Sequence, residues 1–369
     1  MFIKKIIMMK HFLLKIAFLF MLFQYSNVLL AQHNHDHSHA HEHEEDQSNK
    51  VEHLSFKDTF LGSEDNFQVC YPKDHRNFFY MIFLLILLVA ILAIFTFINV
   101  RKNNKLLAIQ NKIIEEKNKD LVDSIKYSLQ IQRSILPKAT TVNNSFENIF
   151  IFYCPKDIVS GDFYWVFSDE RYAYVAVVDC TGHGVPGAFL SLIGNNAINK
   201  AVKEDGETDP GAILDRMNYY VKETLNQQSE GELKDGMEVS LCKFDKIDNT
   251  LYFAGANLSM VYFKEGELNI VKGSKCTVGS VQPHVKGAPT THTIQLSKGD
   301  SFYLYTDGII DQFGGESSKK FKITGLKNLL TSIHRKDIAS QQKEVIHAFE
   351  IWKKNQEQLD DVCIIGVKI

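Results

Sequence analysis

The sequence predicts an α+β domain of antiparallel sheets covered by helices, carried behind one transmembrane helix and a helical linker. Three observations predict it. Residues 77–100, "NFFYMIFLLILLVAILAIFTFINV", hold no charge. Residues 101–136 contain no glycine or proline, and Pro137 follows. Beyond that point, short aromatic-rich apolar runs separated by tight turns alternate with grouped helical patterns. That is the pattern of a layered α+β domain and not of a doubly wound parallel sheet. The 369 residues and net charge of −3 suit one or two domains, and the balance gives no argument for nucleic acid. The six cysteines, at 70, 154, 180, 242, 276 and 363, form no CxxC and no close pair, which excludes a disulfide framework or a cysteine-rich zinc site.

The elements follow in chain order. Residues 1–31 carry Lys4, Lys5 and Lys10 ahead of an apolar core from Ile16 to Phe23, the layout of a secretory signal cut after Ala31. Leu29 is a poor residue for that cut, and an uncut segment would remain as a first anchor. Residues 78–100 are long enough, at about 1.5 Å per residue, to cross a hydrocarbon core of roughly 30 Å. "RKNNK" follows at once, so positive-inside logic places residues 101 onward in the cytoplasm and residues 32–77 outside. The external segment opens "HNHDHSHAHEHEED". His33, His35, His37, His39, His41 and His43 occupy alternate positions with the acids Asp36 and Glu42 among the residues between them, a ligand set for zinc, copper or nickel. The alternative is an unstructured polar tail that binds metal incidentally.

In the 101–136 linker, Leu107, Ile114 and Leu121 stand seven apart. Val122, Ile125, Leu129 and Leu136 carry the apolar stripe onward. A coiled-coil seam that makes a homodimer and a helix packed on its own domain are both open.

From residue 137 the predicted strands are "FENIFIFY", "DFYWVF", "YAYVAVVD", "EVSLCKFD", "TLYFAGA", "MVYFKEG", "HTIQL", "SFYLYTD" and "DVCIIGVKI". Helices are predicted over 186–204, 210–228, 324–334 and 339–354. Acids stand where these strands begin or end: Asp162 after Gly161, Asp179 after a buried run, Asp307 before Gly308, and Asp360 with Asp361 ahead of the last strand. Each alone reads as a turn or cap residue. If the strand ends converge, the carboxylates repel one another unless cations bind, and an all-oxygen set favours Mg²⁺ or Mn²⁺. A pair of such ions acidifies a water for in-line attack on phosphorus.

The ordered set "VSGDFYW", "VDCTGHGVPGAFLSLIG", "DGMEVSLCKFD", "LYFAGANLSMVYF", "LYTDGIIDQFGG" and "DDVCIIGVKI" resembles the SpoIIE-type branch of the metal-dependent (PPM) serine/threonine protein phosphatases. The resemblance runs from about residue 120 to 369 and includes "SIKYSLQIQRSILP". It implies an αββα sandwich over 137–369 with two Mn²⁺ or Mg²⁺ ions at one edge. It also implies catalytic and metal roles for Asp162 and Asp179, a backbone-carbonyl ligand at Cys180, and further ligands at Asp307 and Asp360, with Asp361 one position away. Gly161, Gly182, His183, Gly184 and Gly308 support the loops. The substrate it implies is a phosphorylated regulatory protein, an anti-sigma-factor antagonist of the STAS type. "KGSKCTVG" matches the family only loosely, which touches substrate contacts more than metals.

Within "VAVVDCTGHGVPGAF", a Cys180 nucleophile would need a lowered pKa and a base in reach, and a Cys180–His183 zinc site lacks two ligands. Asp179 is therefore the expected chemical group. His183 either braces the loop or donates to the phosphate or leaving group. Asn257, Asp235 and the "SSKKFK" lysines read as turn and surface residues, and Trp165 and Trp352 as packing residues. The whole reads as a single-pass inner-membrane phosphatase of a bacterium with its catalytic domain cytoplasmic. A non-catalytic scaffold, an external metal sensor and a hydrolase of small phosphate esters are the alternatives.

Overall fold

The computed structural model describes residues 15, 53–55, 68–70, 73–226, 235–280 and 289–369. The signal-like segment other than residue 15, and the His33–His43 tract, lie outside the described residues. The chain divides into two compact units, residues 1–105 and 106–369. In the first, β1 (His53–Ser55) pairs antiparallel with β2 (Gln68–Cys70). Helix α1 (Lys73–Ile135) begins there and runs unbroken into the linker. Its Asn77–Val100 stretch is long and apolar enough to cross a membrane, by length and composition.

The second unit takes in residues 106–136 of the linker as well as the catalytic region. Two five-stranded antiparallel sheets form its centre. The first has the order β10 (His292–Gln295), β7 (Thr250–Ala256), β6 (Met237–Asp245), β5 (Tyr172–Cys180), β4 (Phe163–Ser168). The second has the order β3 (Ile149–Cys154), β14 (Val362–Lys368), β11 (Ser301–Tyr305), β8 (Met260–Lys264), β9 (Glu267–Val271). Strands β5 and β14 are central and buried on both faces, which explains their near-continuous apolar runs.

Three apolar layers hold the unit. Between the sheets lie Val175, Val177, Phe253, Phe302, Leu304, Cys363 and Ile365. On the outer face of the first sheet, α3 (Gly184–Asn199) and α4 (Pro210–Thr224) cover Trp165, Tyr174, Leu241 and Met237. On the outer face of the second, α6 (Lys322–Ile333) and α7 (Ile338–Lys353) cover Phe263, Tyr303 and Ile364. The architecture is therefore helix, sheet, sheet, helix. Helix starts agree with local chemistry: Asp209 accepts from the Ala212 N–H ahead of Pro210, and Asp337 accepts from the Ser340 N–H.

Some elements differ from the sequence expectation. The helix expected over 186–204 is α-helical to Asn199 and closes in a π-helical turn, Lys200–Glu204. The short helices α2 (Ala139–Ser145) and α5 (Asp307–Asp311), the hairpin β12 (Phe313–Gly314) with β13 (Lys319–Lys320), and edge strand β9 were not anticipated. Their apolar patterns are too short or too half-exposed to stand out.

Candidate active site

The strand register brings the predicted acids to one end of the sandwich. Phe163 pairs with Val178, so Asp162, just before β4, stands beside Asp179, near the end of β5. On the other sheet Tyr305 pairs with Ile364, and the Thr306 N–H donates to the Cys363 carbonyl. That places Asp307, the first residue of α5, beside Asp360 and Asp361 at the start of β14. Gly308 must be glycine, because a Cβ there would meet the Asp361 carbonyl oxygen.

Asp361 joins the two sheets. Its Oδ1 accepts from the Lys156 N–H at 2.7 Å and its Oδ2 from the Gly161 N–H at 2.8 Å. Both oxygens thus hold the loop that delivers Asp162. The half-buried Asp360 carboxylate accepts from the Asp361 N–H at 2.9 Å, while its backbone carbonyl accepts from Gln358 Nε2 at 2.9 Å. Of the two adjacent acids, Asp361 is the loop anchor and Asp360 faces the other acids.

Electrostatics mark the cluster. Burial pushes the Asp162 carboxyl well above its ordinary value, a Thr306 hydrogen bond opposes this, and the charges of Asp361, Asp360 and Asp307 add to it. Burial, followed by Asp162, Asp307, Asp360 and Glu238, pushes Asp179 up to about 10. Asp307 is raised by burial and by Asp360 and Asp311, against a hydrogen bond with Asp179 and the charge of Lys320. Asp162 Oδ2 is buried with no hydrogen-bond partner among the described residues. A buried, unpartnered carboxylate oxygen among like charges is the chemistry a hard cation satisfies, so the residues present fit Mg²⁺ or Mn²⁺. Among the described residues, no group of three or more acids, histidines or cysteines already closes around a common point.

The turn after Asp179 is built for close approach. Gly182 and Gly184 have φ of 84° and 67°, in the left-handed region. A Cβ on Gly161 or Gly187 would strike the Gly182 carbonyl oxygen. His183 lies on this turn, with Nδ1 2.8 Å from Asp157 Oδ2 and Nε2 3.1 Å from Lys156 Nζ. It braces the 180–184 turn against the 156–161 loop. Cys180 is 3% exposed, and burial, with Asp162 and Asp179 behind it, pushes its thiol well above the ordinary range. Burial and the neighbouring acids both disfavour a thiolate at this position.

Other sequence expectations resolve locally. Asn257 has a φ of 60° in a turn, and its amide donates to Glu238 Oε1 and Thr277 Oγ1. Lys320 pairs with Asp311 at 2.8 Å. The indole N–H of Trp165 donates to Asn199 Oδ1, and that of Trp352 to the Gln312 carbonyl, as packed tryptophans do.

Sequence reasoning missed two contributors. Glu238 pairs directly with Asp179 across β5 and β6 and adds to the charge there. The period-2 pattern of "DGMEVSLCKFD" carried that signal. Gln132, on the linker, is 2% exposed. Its Nε2 donates to the Ser160 carbonyl at 2.6 Å and to Ser191 Oγ at 2.9 Å, while its Oε1 accepts from the Ser160 N–H at 3.1 Å. The linker helix therefore grips both backbone groups of the residue two positions before Asp162.

Comparison with known proteins agrees with this geometry. The family model for stage II sporulation protein E (SpoIIE) matches residues 169–369. The SiaA-PP2C domain of Pseudomonas aeruginosa superposes with a TM-score of 0.63 at 31% identity, over 68% of this chain and 98% of that one. The PP2C phosphatase domain, with a regulatory fragment, of SpoIIE from Bacillus subtilis gives 0.48 at 17% identity, over 60% of this chain and 61% of that one. A PPM Ser-Thr phosphatase from Mycobacterium smegmatis gives 0.41 at 10% identity, over 61% of this chain and 99% of that one. Among curated proteins, none matches by sequence. With the family model covering more than half of its length, the chain belongs to the SpoIIE family of PPM-type serine/threonine phosphatases.

Proposed function

We propose that this chain is a membrane-anchored, cation-dependent protein phosphatase that removes phosphate from phosphoserine or phosphothreonine on a regulatory protein. The observation that carries the proposal is the buried carboxylate set with the unpartnered Asp162 oxygen. Asp162, Asp179, the Cys180 carbonyl, Asp307 and Asp360 would hold two Mn²⁺ or Mg²⁺ ions. When bound, such ions supply an acidified water and neutralise charge at phosphorus. The chain's own residues fix the geometry. Asp361 and Gln132 hold the 156–161 loop, the glycine turn lets the 182 carbonyl nest against Gly161, and His183 locks the two loops together. The half-buried Asp179 and Asp307 leave the substrate side of the cluster open to a phosphoryl group.

The substrate class that family membership supports is a partner-switching regulator, such as a STAS-type anti-sigma-factor antagonist. The apolar stretch over residues 77–100 supports a membrane anchor, and the basic "RKNNK" after it supports the reading that the anchor is single-pass in the inner membrane with the phosphatase domain cytoplasmic. In that topology the residues before it, including the His33–His43 tract, face outward and bind a transition metal. The domain plan is then signal segment 1–31, external segment 32–77, membrane helix 78–100, linker 101–136 and catalytic domain 137–369.

The test is Mn²⁺-dependent phosphate release from a phosphoserine protein by the wild type, Asp179→Asn and Cys180→Ser. Release that survives Cys180→Ser and is lost in Asp179→Asn is expected. Loss in Cys180→Ser would overturn the carboxylate mechanism. If the wild type releases nothing, calorimetric Mn²⁺ titration of wild type against Asp179→Asn separates an inactive phosphatase from a binding-only scaffold.

A further inference from the structure

The hairpin β12–β13 belongs to neither five-stranded sheet and stands beside the acid cluster. Asp311 ends α5, one helical turn after Asp307, and its Oδ2 accepts from Lys320 Nζ at 2.8 Å. Residues four apart on a helix lie about 5–6 Å from each other, so the Lys320 ammonium sits within a side chain's length of Asp307. Its charge acts on the Asp307 carboxyl. The hairpin register sets Lys320 opposite Phe313 and Lys319 opposite Gly314. Successive strand residues point to opposite faces, so Phe313 and Lys320 share a face and Lys319 lies on the other. Phe313 is 39% exposed, the Lys320 side chain 43%, and Leu359, the neighbour of Asp360, 42%.

These three side chains rest on a firm base. Gln312 is fully buried. Its Oε1 accepts from the Leu359 N–H at 3.2 Å, and its Nε2 donates to the Phe313 and Glu357 carbonyls, each at 2.9 Å. Its own carbonyl accepts from Trp352 Nε1 and from the Phe321 N–H. Across the turn, the Gly315 N–H donates to the Trp352 carbonyl at 2.9 Å, and Gln356 Nε2 to Ser318 Oγ at 3.4 Å. Ser318 is held at a φ of 46°, in the left-handed region that serine seldom occupies. The hairpin is thus tied to the same 354–361 segment that delivers Asp360, and it keeps two large apolar groups and a cation in solvent.

We propose that Phe313, Leu359 and Lys320 form a ledge for the substrate residues that flank the phosphoserine, with Lys320 taking an acidic side chain and the two apolar groups a hydrophobic one. This rests on the phosphoprotein reading above and names the flanking chemistry that reading leaves open. Lys320 stands outside the ligand set, a helical turn from Asp307, so it meets the neighbours of the phosphoserine and not the phosphoryl group. The acid cluster repels an acidic segment, and a cation at its rim reverses that locally. The pair with Asp311 does not use Lys320 up. An exposed ion pair contributes little, and an ammonium has three hydrogens to donate, so Lys320 can hold Asp311 and a substrate carboxylate together. Phe313 and Leu359 shed water when an apolar side chain covers them.

Three phosphoserine peptides test it on the full chain in mild detergent with Mn²⁺. They share a leucine and differ only in the residues on either side of the phosphoserine: aspartate, asparagine or lysine. Wild type should favour the aspartate over the asparagine peptide by about two- to fivefold in kcat/KM, carried by KM, the size of an exposed charge pair. That preference should vanish in Lys320→Gln, and in Lys320→Glu the lysine peptide should overtake the aspartate peptide. Each ratio compares peptides on one protein, so partial unfolding cancels. Lys319→Gln removes the same charge from the other face of β13 and should keep the wild-type ratio. Phe313→Ser with Leu359→Ser should raise KM for all three peptides. The inference is overturned by a wild type without preference, by a preference that survives Lys320→Gln or is lost equally in Lys319→Gln, or by an unchanged KM in the double serine variant. Anisotropy of the same peptides, fluorescein-labelled, on the Mn²⁺-loaded chain separates this from the phosphatase reading. Lys320-dependent binding without phosphate release refutes the phosphatase and keeps the ledge, and release without charge preference does the reverse.

Discussion

Gln132→Leu tests whether the linker helix holds the catalytic loop. Leucine has about the volume of glutamine, so the packing of this 2%-exposed side chain is largely kept. What is lost is the pair of hydrogen bonds to Ser160, whose N–H and C=O lie in a fully buried residue. Ser191 keeps a partner, because its hydroxyl also donates to the Ala188 carbonyl. Each buried backbone group left unpaired costs about 1–3 kcal/mol, so the two together cost roughly 2–6 kcal/mol. At about 2–4 °C per kcal/mol for a domain of this size, that lowers Tm by roughly 4–24 °C. The only two tryptophans, Trp165 and Trp352, both lie in the catalytic unit, so their fluorescence reports its melting and not that of the membrane segment. Phosphatase activity should fall by about 10–100-fold, as for other groups that orient a ligand without touching the metal. Gln132→Glu keeps an acceptor for the Ser160 N–H but loses the donor to its carbonyl, and should fall between wild type and Gln132→Leu. A Gln132→Leu protein that melts within about 1 °C of wild type with unchanged activity would refute the reasoning.

Three further outcomes follow from the same geometry. Asp361→Asn leaves one acceptor oxygen for two backbone N–H groups, so kcat/KM should drop about 10–100-fold and half-saturation should need more Mn²⁺, read by metal titration of activity. Gly161→Ala forces a methyl group onto the Gly182 carbonyl and should destabilise the fold by more than 1 kcal/mol in chemical denaturation, with activity lost first. In metal-free protein, Asp179 holds its proton from its ordinary 3.8 up to about 10, so between those limits the native state binds more protons than the unfolded chain. Stability then falls as pH rises through that window. Asp179→Asn should raise the metal-free Tm at pH 7 and flatten its pH slope, measured by melting across pH in chelator.

The catalytic sandwich was legible wherever a strand was buried on both faces. The runs in β5, β11 and β14 stand out because, apart from Asp179, Ser301 and Lys368 at or near their ends, their side chains are apolar or aromatic. Edge strand β9, "ELNIV", escaped because one of its faces meets solvent and its pattern is half polar. The four candidate ligands were chosen from the sequence because each acid stands where an apolar run begins or ends, Asp162 and Asp307 beside a glycine. The choice between Asp360 and Asp361 was not legible. Neighbours in an extended chain point to opposite sides, and only the position of the 156–161 loop says which side holds backbone donors. Gln132 was invisible for a similar reason: its partners are a backbone 28 residues away and a serine 59 away. A polar residue on a helical stripe gives no sign of whether it is buried until the surface it meets is known.

Asp162, Asp179 and Asp307 work against the fold that carries them. Burial raises Asp162, Asp179 and Asp307, and their neighbours' charges raise them further, so each stabilises the metal-free protein less than a neutral side chain of the same shape would. The surrounding structure offsets this with contacts that a catalytic domain does not otherwise need: a fifth carboxylate, Asp361, used wholly on backbone donors, and a glutamine reaching in from a different helix. A cation bound among the acids reverses the sign of their interaction, so occupancy and folding become linked quantities. The loop bearing Asp162 is then the part of the fold most sensitive to both. It is held on one side by Asp361 and on the other by Gln132, a residue of the long helix that precedes the sheets.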